Sequence, residues 1–147
     1  MARIRRISAK HAFLLLECLC TVIVVRACLS LRKNDFLRQR IATFTVGDIA
    51  PQHRLAEIAW AVAAVSRSVP KATCLTQATA GQWILARRGF DSIVRISVPP
   101  MTNAEGRIAP HAWLIASDTL VLGGDLDQYG RHRMLHDYPV RARPVAR

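Results

Sequence analysis

Two residues have the types and settings for nucleophilic chemistry. Cys74 stands in VPKATCLTQ, directly after Thr73. Threonine is a favoured N-cap, so Cys74 falls in the first turn of a helix. The unpaired N–H groups and the positive end of the macrodipole at such a turn favour a thiolate over a thiol. They can also hold the oxyanion formed when sulfur attacks a carbonyl. His111 heads the run HAWLIA. A thiolate nucleophile needs an imidazole to take its proton and to return one to the leaving amine. Taken singly, an isolated cysteine at a helix start is more often structural, and a histidine heading a strand is more often a capped edge residue. The pairing is what points to catalysis.

A third group must orient the imidazole. HAWLIA (111–116) and TLVLGG (119–124) flank Ser117-Asp118, the length of a tight hairpin turn. With Ala116 opposite Thr119, His111 falls opposite Gly124. A bulge at Gly123-Gly124 then brings Asp125 within reach. Asp127 is a weaker choice. Asp118 lies at the far tip, roughly 20 Å away at strand rise. Asp91 lies in a loop before the first strand. The expected orienting acid is Asp125.

The elements that must position these residues are legible in outline. Residues 51–67, PQHRLAEIAWAVAAVSR, form a helix with Pro51 at its first position. Its apolar face is Leu55, Ile58, Ala59, Val62 and Val65. Residues 73–88 form the next helix, closed by Gly89. SIVRISV (92–98) alternates and is rich in β-branched residues, the pattern of a strand. Residues 32–54 are read as a basic segment and a loop, and the tail after Asp125 as a basic segment that frays. Helices followed by an antiparallel sheet make the class α+β. The division is residues 1–50, an N-terminal helical segment and linker, and residues 51–147, the main domain with its basic tail.

The bulk properties bound the function. The chain has 147 residues, is 51% hydrophobic and carries a formal net charge of +11. General disorder is excluded, and an acidic partner is implied. No basic stripe interleaves with aromatics and no zinc-finger spacing occurs, which argues against nucleic acid. Cys18, Cys20, Cys28 and Cys74 form no C-x-x-C pair, so a reducing, cytoplasmic setting without metal or cofactor is expected. Residues 13–25, FLLLECLCTVIVV, are strongly apolar. Glu17 interrupts them, His11 and Arg26 bound them short of the ~20 residues a bilayer needs, and no A-x-A site follows. A helix packed through Leu14, Leu15, Cys18, Val22 and Val25 is expected, with no stable membrane insertion.

The ordered set VPKATCLTQATAGQWILARRGF, IVRISV, PHAWL and VLGG resembles the leader-peptide-cleaving B proteins of lasso peptide biosynthesis. The resemblance covers roughly residues 55–130. It implies a transglutaminase-like, papain-related cysteine protease with a Cys-His-Asp triad. The cysteine of the CL-x-QA motif falls on Cys74 and the histidine of the HAW motif on His111. The aspartate has no unambiguous match, and Asp125 rests on hairpin geometry. Gln77 matches a glutamine of the motif and is assigned to packing or helix polarity. The implied partners are a precursor with its leader peptide, a separate leader-recognition module and an ATP-dependent macrolactam cyclase. Two other classes remain open: transglutaminase-like acyl transfer to an amine, and a non-enzymatic, basic, membrane-associated adaptor.

Overall fold

The structure is a computed structural model that describes residues 8–102 and 105–142. Four helices come first: α1 (Ala9–Ser30), α2 (Asn34–Ala42), α3 (Gln52–Ser66) and α4 (Cys74–Arg87). Strands β1 (Ser92–Val98), β2 (His111–Ala116) and β3 (Thr119–Leu122) follow, then a short α5 (Leu126–Arg131) and β4 (Arg133–Val140). The strands form one antiparallel sheet in the order β3-β2-β1-β4. The α+β class holds, with helices followed by a small antiparallel sheet.

Helix α4 is the central element. A capping box starts it: Thr73 Oγ1 accepts from Thr76 N, and Thr76 Oγ1 accepts from Thr73 N. A Schellman pair ends it, with Gly89 N donating to Ala86 O and Phe90 N to Leu85 O, both at 3.0 Å. Between them Gly81 packs against the sheet. A Cβ there would lie 2.5 Å from Leu114 Cδ2, so any other residue would push the buried Leu114 side chain aside.

Gln82, on the same helix, is fully buried. Its Nε2 donates to Tyr138 O at 2.7 Å and to Ser92 O at 3.4 Å, while Oε1 accepts from Arg38 Nη1 at 2.9 Å. One amide thus joins α2, α4, β1 and β4. Arg38 stacks over the Tyr138 ring, and burial pushes its guanidinium down to about 10.

Helix α1 runs through His11 and Arg26, both taken in the sequence as bounds of the apolar run. By length and composition it is long and apolar enough to cross a bilayer. One face is nonetheless packed: Cys18, Val22 and Val25 are fully buried in the same core as Leu55, Ile58, Ile84 and Leu114. Leu14 and Leu15 pack at its edge, as expected. Glu17 is not stranded in the run. It is ion-paired with Arg87 at 3.2 Å and accepts from Arg88 at 2.6 Å, at the C-terminal end of α4.

Three elements, α2, α5 and β4, were read as loop or tail. α2 forms where a basic segment was expected because Leu37 and Ile41, one turn apart, both reach the core. β4 forms where fraying was expected. Its residues alternate weakly and include Pro139, and it is an edge strand, where a missing donor is tolerated. Its partner β1 supplies the register, Val94 opposite Tyr138 and Arg95 opposite Asp137. Pro51 precedes the first turn of α3 instead of occupying it.

Replacing Gln82 with Leu is expected to take away the acceptor of Arg38 Nη1 and the Gln82 donor from two carbonyls. The cost is roughly 3 kcal/mol, a fall of about 6–12 °C in melting temperature for a chain of this size. Thermal melting by circular dichroism checks it. A Gln82→Leu variant that melts with the parent would show that the amide is not a structural link.

Candidate active site

Cys74 is the first residue of α4, as the cap predicted. The cap takes Thr76 N, and Thr73 O takes Gln77 N. Among the described residues this leaves the Cys74 and Leu75 amides outside the helix's own bonding. The side chain is partly exposed and opens into a cleft of about 480 Å³. Ala59 and Ala63 of α3, Gln77, His111 and the 121–124 segment complete the lining. Residues 74 and 111 therefore line one cleft, Cys74 from a helix start and His111 from the head of β2.

The hairpin turn stands where expected. Ser117 and Asp118 both take left-handed backbone angles, φ 51° and 57°, the twist that a two-residue hairpin demands. Ser117 Oγ binds both backbone groups of Ala50, which ties this tip to the start of α3 and away from the cleft. Ala116 pairs with Thr119. The irregularity, however, comes earlier than Gly123-Gly124. Leu114 pairs with Leu122 and Ile115 with Leu120, so Val121 is the extra residue and β3 ends before the glycines.

That shift decides what holds His111. Its Nε2 is hydrogen-bonded to the carbonyl oxygen of Gly123. A carbonyl only accepts, so Nε2 carries the proton and Nδ1 is left with the lone pair. Asp125 does not fill this role in the structure. It caps α5, its Oδ1 accepting from Gln128 N at 2.8 Å. Asp127 is paired on the surface with Arg131 at 2.9 Å. Asp91 and Asp118 line a different cavity with Arg141.

Glycine is required at residue 123. Its φ is +126°, and a Cβ would sit 2.7 Å from Trp113 Cε3 and 2.9 Å from Ala112 O. The chain must press against Trp113 to turn its carbonyl toward the imidazole. Trp113 is itself locked, since Nε1 donates to Ser97 Oγ at 2.6 Å. Its ring packs on His111 with centroids 4.4 Å apart.

Sequence reasoning did not reach the next shell. Ser97 Oγ also contacts His132 Nδ1 at 3.0 Å, and the His132 ring lies 5.8 Å from that of His111. Tyr129 stands edge-on to Trp113 and accepts from Arg95, whose guanidinium grips Asp137 through two bonds of 2.8 Å. The Gly-Gly pair was the readable signal for residue 123. His132 carried none, because only the return of the chain through α5 and β4 brings it back.

Burial, and then the neighbouring His111, hold His132 below the ordinary histidine range. The Arg95 hydrogen bond holds Asp137 below the usual carboxylate range. Cys18 is pushed up to about 11 by burial and by Glu17, which makes it an unreactive thiol.

Two outcomes follow. In each case the unfolded chain takes up a proton at higher pH than the folded one, so both shifts destabilise in acid. Melting temperature should fall first as pH drops below the ordinary histidine value of 6.5. It should fall again below the carboxylate value of 3.8. His132→Asn should remove the upper phase, and an unchanged profile would refute the assignment. Asp125→Asn keeps an N-cap and should melt with the parent, whereas Asp125→Ala should lose about 1 kcal/mol.

The site and its frame can be set beside known proteins. A model of the transglutaminase-like superfamily matches residues 18–134. Comparison with curated proteins gave no match, and neither did comparison with solved structures. The family match runs from the middle of α1, through the Cys74 helix and the His111 hairpin, into β4. On that match, over most of its length, this chain belongs to the transglutaminase-like superfamily.

Proposed function

We propose that the protein is a cysteine peptidase that removes the leader from a ribosomally made lasso peptide precursor. The observation that carries the reading is that Cys74 and His111, remote in sequence, line one cleft. The superfamily's fold is consistent with a cysteine protease or an acyltransferase. The sequence set quoted above narrows this to leader removal.

The chemistry follows from the arrangement. His111 Nδ1 takes the thiol proton, and Cys74 Sγ attacks the scissile carbonyl. The Cys74 amide is placed to donate to the oxyanion. Collapse of the tetrahedral species breaks the C–N bond, and the imidazolium returns its proton to the departing amine. Water then attacks the thioester, giving up a proton to His111 and releasing the leader carboxylate. Throughout, the Gly123 carbonyl holds Nε2–H and so keeps the reactive tautomer. Asp125 acts on this site indirectly, by capping α5 and fixing the turn that presents the carbonyl.

In this reading the reaction is cytoplasmic and needs no cofactor. A separate leader-recognition module delivers the precursor, and an ATP-dependent macrolactam cyclase uses the new N-terminus. Among the described residues the cleft lining holds no Asp, Glu, Lys or Arg; in this reading, capture of the leader falls to the module.

Cys74→Ala and His111→Ala should abolish precursor cleavage, measured by mass spectrometry with the module present. Cys18, Cys20 and Cys28 should tolerate alanine. Gly123→Ala should lose about 100-fold, the scale expected for roughly 1 Å of misplacement. Asp125→Asn should retain most turnover. Cleavage by Cys74→Ala would end the proposal, and an amine adduct in place of the free leader carboxylate would reassign the enzyme to acyl transfer.

A further inference from the structure

Helix α1 has two apolar faces, and only one of them meets the core. The other carries Phe13, Leu16, Cys20, Ile23, Val24 and Leu31, all exposed. Phe13 and Leu31 are 71% and 66% accessible. At 100° per residue these six fall within about 100° of arc, so they form one stripe. The stripe spans about 27 Å along the helix. Solvent-exposed apolar surface of that continuity marks an interaction site.

The charges around the stripe say what covers it. Glu17, the only acidic residue of α1, is turned away onto Arg87 and Arg88. Exposed Lys10 lies at one end of the helix, and exposed Arg32 and Lys33 follow the other. The sequence before the helix adds Arg3, Arg5 and Arg6. Both ends are therefore basic, although Asp35 begins α2 nearby. A second copy of this chain fits poorly, since parallel and antiparallel pairing alike would set basic end against basic end. A planar anionic surface satisfies the stripe and both ends together. Phe36, in the first turn of α2, is a further exposed apolar residue.

We propose that α1 docks the protein on an anionic lipid surface. The helix lies in the interface plane, its outer stripe among the acyl chains and its basic ends at the headgroups. The inner face stays packed on α3 and α4, so the helix does not cross. This inference is independent of the reaction assigned to Cys74, because no residue of the stripe lines that cleft.

The test is co-sedimentation of the full chain with vesicles, either pure phosphatidylcholine or phosphatidylcholine with about one third phosphatidylglycerol. Binding to the anionic vesicles should be at least ~10-fold tighter and should weaken steeply with salt. Leu16→Ser/Ile23→Ser should lose most of it while keeping the parent's circular dichroism. Arg32→Ser/Lys33→Ser should weaken it on anionic vesicles only. A bimane label on Cys20, in a Cys28→Ser/Cys74→Ala background, should shift to the blue on binding and reports even if the serine pair misfolds. No binding, equal binding to both vesicle types, or an unshifted Cys20 label would overturn the proposal. So would a concentration-dependent dimer that the serine pair abolishes in a protein that binds neither vesicle.

Discussion

The fully buried side-chain amide of Gln82 is the interaction on which the rest depends. A buried amide is tolerated only when its donors and acceptor are met. Here they are met by three other elements: the Arg38 guanidinium from α2 and the backbone carbonyls of Ser92 and Tyr138 from β1 and β4. Hydrophobic burial is non-directional and would allow α4 to slide or rotate on the sheet. The amide removes that freedom. Gly81, beside it, sets the depth at which helix and sheet meet. Together they place the N-terminus of α4, and so Cys74, against the open end of the β2–β3 hairpin.

The cleft is assembled from opposite ends of two elements, each terminated by local chemistry. Thr73 and Thr76 stop α4 at Cys74. Two glycines of left-handed backbone stop β3 and fold the chain over Trp113. A backbone carbonyl then takes the place opposite the imidazole where a carboxylate was expected. Both acceptors select the same tautomer. A carboxylate can also stabilise an imidazolium by charge, whereas a carbonyl offers only its dipole. The aromatic packing of Trp113, Tyr129 and His132 around this point holds the geometry on which the weaker acceptor relies.

Helix α1 shows how one sequence feature can serve two solvents. Its hydrophobicity exceeds what a packed surface helix uses, because only part of its circumference meets α3 and α4. Glu17 resolves the inner half by pairing with two arginines of α4. It anchors the helix to the domain and leaves the outer face free of acid.

Much of this protein was written locally. The capping threonine, the helix it starts, the Gly89 stop, the alternating strand at 92–98 and the two-residue turn at Ser117-Asp118 all depend on neighbours within a few positions, so they could be read off the chain. So could the candidate pair Cys74 and His111, by type and setting. What the chain alone did not decide was anything set by partners far away in sequence. α2 exists because Arg38, Leu37 and Ile41 find α4 and the core. β4 exists because β1 offers an unpaired edge. The bulge moved to Val121 because the fit of β3 onto β2 and under α4, not the presence of glycine, determines where a strand yields. Moving it by those few residues exchanged Asp125 for the Gly123 carbonyl beside His111. Local propensity specifies where elements begin and end. Which atom faces which across a cleft is settled only when long-range packing fixes their register.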